Sequence, residues 1–219
     1  MILSNPTGDK RMPFTKEEQG EFLRRVAEIQ DGSGKSFVLA VYELLDRLER
    51  EAISESDPCF ACHRGCGLCC SQLVSCTQIE WREIRDYLLS LDQQTRYWIQ
   101  RHLADFAGVW SRYIAKHPNI VQTPSDYARV LRHWVGKPCP FLGDEGECII
   151  YPVRPIECRT CYSTQLCTAP VGSEGVVIYP FAFQKIASTV LIDRQIQGQG
   201  GRPPVLCSPL LAWLEISPI

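Results

Sequence analysis

The sequence predicts a mainly α fold: a helical domain with irregular cysteine-rich loops and at most a short β hairpin. Three observations predict it. Apolar residues recur at helical spacing in several segments, most of them opened by a capping pattern. Strand signals are confined to short stretches, chiefly Val176 to Tyr179. Ten of the twelve cysteines sit in two segments where glycine and proline interrupt every periodic pattern.

Thr15 and Glu18 form a capping-box pattern, and Phe22, Val26 and Ile29 follow at helical spacing, so residues 15–30 read as a helix. Asp31 to Gly34 breaks it, and Lys35 to about Glu51 restarts it with Val38, Val41, Leu44, Leu45 and Leu48 on one stripe. The break holds Gly34-Lys35-Ser36, the tail of a phosphate-binding loop, but that motif also needs a glycine where Ile29 stands. A helix start after a Gly-Ser turn is the better reading. Ala52 to Pro58 reads as a polar loop. Thr77 and Glu80 form a second capping box, opening a helix to about Ser90 with Trp81, Ile84, Tyr87 and Leu88. Asp92 to about His117 is a longer helix ended by His117-Pro118. Thr123-Pro124 opens another, which stops at Gly136.

Residues 137–170 read as an ordered loop, with a hairpin around Gly143–Gly146. So long a loop is usually functional or tethered. Phe181 to about Gln197 is a helix, although Thr189 to Ile192 would also suit a strand. Gly198 to Pro204 reads as a flexible connector, and Leu206 to Ile216 as an apolar end that docks as a helix.

Hydrophobic residues make up 45% of the 219, enough for a core without metal. A net charge of -2 and no long basic run argue against an extended nucleic-acid face. Met1 to Phe14 lacks the apolar core of a signal peptide, and no stretch has the length of a membrane span. The expectation is a cytoplasmic protein with no membrane partner. In a reducing compartment, many cysteines mean metal or redox chemistry more often than disulfides.

Cys59, Cys62, Cys66, Cys69 and Cys70 fall within twelve residues, and Cys139, Cys148, Cys158, Cys161 and Cys167 form a second group downstream. Cys66-Gly67-Leu68-Cys69 and Cys158-Arg159-Thr160-Cys161 are CxxC pairs. A tight turn lets both sulfurs of such a pair face one ion, and Gly65 and Gly67 permit that turn. Zinc takes two ligands from each of two pairs, and iron–sulfur clusters take four thiolates from similar runs. Vicinal Cys69 and Cys70 point to two sites, a polynuclear cluster, or one ligand beside a non-ligand; a vicinal disulfide is the strained alternative. A divalent ion on four thiolates is a dianion that needs nearby cations, and Arg64, Lys137, Arg154 and Arg159 flank the cysteines. A solvated surface explains those four equally well. Cys76 and Cys207, on apolar segments, read as buried thiols.

Cys66-Gly67-Leu68-Cys69-Cys70, Cys139-Pro140-Phe141-Leu142, Cys148-Ile149-Ile150-Tyr151 and Arg154-Pro155-Ile156-Glu157-Cys158-Arg159 together resemble the CxxCxxCC, or YkgJ-like, cysteine-cluster family. Its members are described as candidate zinc- or iron-chelating proteins and often as iron–sulfur proteins. The resemblance covers residues 59–162, as the core of a single domain 1–219 with helical extensions at 15–51 and 163–219. It implies that Cys66, Cys69, Cys70, Cys139, Cys148 and Cys158 belong to a metal site. The family name implies a further cysteine at position 63, which is His63. Cys62 lies one residue out of register, so Cys59, Cys62 and His63 compete for that role, and Cys161 is an additional candidate.

The expected ligand set is therefore Cys62, Cys66, Cys69, Cys70, Cys139, Cys148, Cys158 and Cys161, with zinc or an iron–sulfur cluster as cofactor. The first functional reading is a metal-binding protein whose centre ties loop 137–170 to residues 59–70. The alternative is an iron–sulfur redox protein or enzyme. A flagellin lysine N-methylase is similar to the family in its cysteine cluster, which makes methyl transfer one such activity, but no methyl-donor site is recognisable. A thiol-redox sensor trails, because no strand–helix context surrounds either CxxC. His102 and His133 lie on apolar-periodic helices and read as structural, and Asp144, Glu145 and Glu147 as a solvated turn.

Overall fold

A computed structural model of the chain describes residues 14–55, 60–63, 65–117, 124–168, 176–198 and 208–216. Among them are the helices α1 (Lys16–Ser33), α2 (Phe37–Glu55), α3 (Gln78–Ser90), α4 (Gln93–Lys116), α5 (Pro124–Trp134), α6 (Ile156–Arg159), α7 (Ala182–Gly198) and α8 (Leu210–Ile216). The strands are β1 (Ser75–Cys76), β2 (Cys161–Ser163), β3 (Val176–Ile178) and β4 (Ser208–Pro209). The fold is mainly α, as expected, with two antiparallel two-stranded sheets, β1–β4 and β2–β3. The described residues form two compact units, each discontinuous in sequence.

The first unit draws on residues 1–62, 159–166 and 174–206. Its α1, α2 and α7 pack on one another. Both parts of the capping box at Thr15 and Glu18 are present. Phe22, Val26 and Ile29 of α1, Val38, Val41, Leu44 and Leu45 of α2, and Ile186, Ala187, Val190 and Leu191 of α7 form the core. Helix α1 runs through Gly32, beyond the expected break, and ends at Gly34, whose φ of 66° takes the left-handed cap. One glycine costs a helix only about 1 kcal/mol, less than the packing of its apolar face supplies. Residues 189–192 are helical for the same reason: Val190 and Leu191 continue the spacing of Ile186 and Ala187. Helix α2 also continues to Glu55, into the stretch expected as loop.

In the same unit, Cys161, Tyr162 and Ser163 pair with Ile178, Val177 and Val176. Strand β2, within the stretch read as loop, is held by this partner rather than by its own pattern. Strand β3 is followed by Tyr179, whose φ of 55° is left-handed without being glycine. Its N–H donates to the Thr160 carbonyl at 3.0 Å. Arg159 is buried, bonded to Asp46 at 2.7 Å and stacked over the Tyr42 ring at 4.2 Å.

The second unit draws on residues 63–158, 167–173 and 207–219. Helix α3 starts at the Thr77–Glu80 capping box. Trp81 stacks on Trp213 of α8 and tilts against Phe141, each pair 6.4 Å between ring centroids. The Trp213 Nε1–H donates to the Cys76 carbonyl at 3.0 Å, which gives the buried indole its polar partner. Helices α4 and α5 meet through Trp110, Tyr113 and Trp134, with centroids 5.2 and 4.6 Å apart for the two pairs with Trp134. The N-cap expected at Thr123 and residues 199–204 of the connector expected at Gly198–Pro204 lie outside the described residues, while Gly198 itself ends α7.

Candidate metal centre

Cys66, Cys69, Cys70, Cys139, Cys148 and Cys158 all belong to the second unit. Gly65, at φ 85°, turns the chain into Cys66, whose N–H donates to the His63 carbonyl at 3.1 Å. Residues 68–70 form one 3-10 turn, closed by the Cys70 N–H on the Gly67 carbonyl at 3.0 Å. This turn is paired to the distant half of the motif by main chain. The Cys139 N–H donates to the Cys70 carbonyl at 2.6 Å, and the Gly136 N–H to the Ser71 carbonyl at 2.9 Å. Gly136, at φ 80°, ends α5 and turns the chain into this pairing.

The expected hairpin around Gly143–Gly146 forms. Leu142 bridges Cys148, and the Gly143 N–H reaches the Glu147 carbonyl at 2.8 Å. It lies against the cysteine turn: a Cβ on Gly67 would meet the Leu142 side chain at 3.2 Å. Asp144, Glu145 and Glu147 are exposed, as a solvated turn requires. Cys158 closes a tight turn, its N–H donating to the Pro155 carbonyl at 2.9 Å.

Five of these thiols share one electrostatic neighbourhood. The hydrogen bond with the Cys70 side chain, then burial and the charge of Cys70, push the Cys69 thiol far above its ordinary range. Burial pushes Cys139 up to about 12, with Cys148 and Cys69 adding to the rise. Burial also raises Cys158, and Cys139 and Cys148 act in the same direction. The residue as a whole keeps some accessible surface, but enclosure dominates at the thiol. Without an ion, proximity of several buried thiols therefore favours their protonated forms. Arg154 opposes this at both Cys69 and Cys158, and its guanidinium lies 4.5 Å from the Tyr151 ring centre.

Among the described residues, no group of three or more His, Cys, Asp or Glu side chains is arranged to hold an ion as the chain stands. The donor chemistry nevertheless fits a thiophilic metal: the set is all sulfur, clustered and next to a cation. None of the ten described cysteines is in a disulfide, vicinal Cys69 and Cys70 included.

Cys62 and Cys161 belong to the first unit, where Cys62 Sγ accepts the Ser163 N–H at 3.1 Å. Cys59, Arg64 and Cys207 lie outside the described residues. Cys76 is buried. Lys137 donates to His133 Nε2 at 2.6 Å and sits over the Trp134 ring. His133 stacks on Tyr113, and His102 lies between Trp98 and Phe106. Two acids escaped the sequence reading as site residues. Glu80 was visible only as a helix cap, and Glu157 only as part of a motif, yet Glu80 accepts the Ile156 N–H and Glu157 the Ser75 N–H.

The CxxCxxCC family model, described as a putative zinc- or iron-chelating domain, matches residues 61–173, more than half of the chain. The chain belongs to the CxxCxxCC family. The CxxCxxCC match spans all six cysteines of the second-unit cluster, together with Cys62 and Cys161. No curated protein and no solved structure matches the chain. No helix among the described residues is long and apolar enough to cross a membrane.

Proposed function

We propose that this CxxCxxCC protein binds a thiophilic metal through Cys66, Cys69, Cys70, Cys139, Cys148 and Cys158, as a zinc ion or an iron–sulfur cluster. The observation that carries the reading is the main-chain pairing of the two cysteine segments, the Cys139 N–H on the Cys70 carbonyl at 2.6 Å, inside the stretch that matches the family of zinc- or iron-chelating domains. The reading needs neither Cys62 nor Cys161. A metal bound here would lock the 66–70 turn to the 139–158 segment, and structural zinc can supply about 10–16 kcal/mol to folding in small domains. The protein's own residues exclude water by burial, deliver thiol protons to solvent as ligands form, and set Arg154 against the negative charge.

The test is anaerobic purification of the full chain, a visible spectrum, and quantification of iron, zinc and sulfide. A colourless protein with stoichiometric zinc selects the mononuclear centre. A brown protein with matched iron and sulfide selects the cluster. A metal-free protein after gentle purification, which also takes up neither metal when supplied, sinks both.

A further inference from the structure

We infer that Glu80 and Glu157 are positioning residues for this centre: two carboxylates, one buried and one half-buried, crossed between the segments they join, that fix the Cys158 turn before any ion binds. The inference rests on the metal-binding reading for its consequence but not for its geometry. Glu80 Oε1 accepts the Ile156 N–H at 2.8 Å, across 76 residues of sequence. Glu157 Oε2 accepts the Ser75 N–H at 2.8 Å, across 82 residues. Each acid therefore holds a backbone N–H of the segment that carries the other. One segment, residues 75–80, follows directly from the Cys66–Cys70 turn, and the other ends in Cys158.

The second capping box of the chain shows what is unusual here. At Thr15, Glu18 is exposed, and its carboxylate bonds back to the Thr15 N–H and hydroxyl. At Thr77, Glu80 is fully buried; Oε2 takes the Thr77 N–H and Oγ1–H at 2.8 Å each, leaving Oε1 for Ile156. A helix cap alone needs neither the burial nor the second partner. Ile156 is the first residue of α6, so its N–H has no acceptor within that helix. The arrangement is costly, because Glu80 is fully enclosed and both of its oxygens are committed to protein donors. The two carboxylates tie together the two halves of the cysteine cluster.

Two readouts test the clamp on the full chain. In the metal-free protein, the rate at which iodoacetamide modifies Cys158 is followed by peptide mass spectrometry. Zinc affinity is measured separately by competition with a chromophoric chelator. Glu157→Ala is expected to accelerate Cys158 modification and to weaken zinc binding by about 10–100-fold, the usual range for residues that orient ligands. Glu157→Gln returns both toward wild type, because its amide oxygen still accepts the Ser75 N–H. Glu80→Gln, nearly unchanged in volume, leaves one acceptor oxygen where two are used and also accelerates modification. Wild-type modification rates in Glu157→Ala and Glu80→Gln overturn the clamp whatever the metal does. If the wild-type chain takes up neither zinc nor iron while Glu157→Ala still exposes Cys158, the metal-binding reading fails and the clamp stands.

Discussion

At the scale of single residues, the cysteines differ by neighbourhood rather than by type. Cys69 and Cys158 are both pushed up by enclosure and by neighbouring thiols, and both feel Arg154. Cys69→Ser and Cys158→Ser should each lower bound metal and thermal stability, read by elemental analysis and a melting curve. Unchanged metal in both variants would show that the proposed ligand set is wrong. His133 offers a separate check. Burial, then Lys137 and His117, lower its pKa from the ordinary 6.5. The unfolded chain then takes up the proton first, so His133 withdraws stability as pH falls through the ordinary histidine range. Its imidazole resonances should titrate below that value in wild type and move back up in Lys137→Ala. An unmoved midpoint would remove Lys137 as a cause.

At the scale of elements, left-handed glycines set where helices hand over to other structure. Gly34 ends α1 at φ 66°, and Gly136 follows α5 at φ 80°. Nothing lies within 4 Å of a Cβ added at either, so alanine there costs backbone strain alone. Gly34→Ala and Gly136→Ala should each destabilise by about 1–2 kcal/mol in chemical denaturation. Only Gly136→Ala should also weaken metal retention, because its N–H opens the pairing of residues 136–139 with 70–71. Equal metal retention in the two variants would count against that pairing as the support of the centre. The helices themselves were legible. Both capping boxes, the Asp92 cap and the apolar stripes of α1 to α4 were readable because each signal lies within a few residues. The extension of α1 through Gly32 was not, since packing of its buried face outweighs a weak local breaker.

At the scale of the whole molecule, the described chain is two compact units, and the proposed centre draws only on the second. Chelation should therefore act unevenly. Hydrogen exchange after metal removal should rise across residues 66–80 and 136–158, while the amides of α1, α2 and α7 keep their protection. A uniform rise throughout the chain would mean that metal stabilises more than the second unit. Glu80 is buried within the second unit, whereas Glu49 and Gln184 form a buried pair at 2.6 Å within the first.

The sequence by itself determined the helical class, most helix boundaries and the family to which the chain belongs. Those depend on local spacing, on capping chemistry and on residue types that few other roles explain. Tertiary structure decided the rest. It assigned Cys62 and Cys161 to a different unit from Cys66–Cys70, gave β2 its partner β3, and tied Glu80 to Ile156 and Glu157 to Ser75. Each of these joins groups far apart along the chain through a backbone N–H or a packed neighbour. Such partners carry no local periodicity, so they become visible only once the fold has brought the segments together.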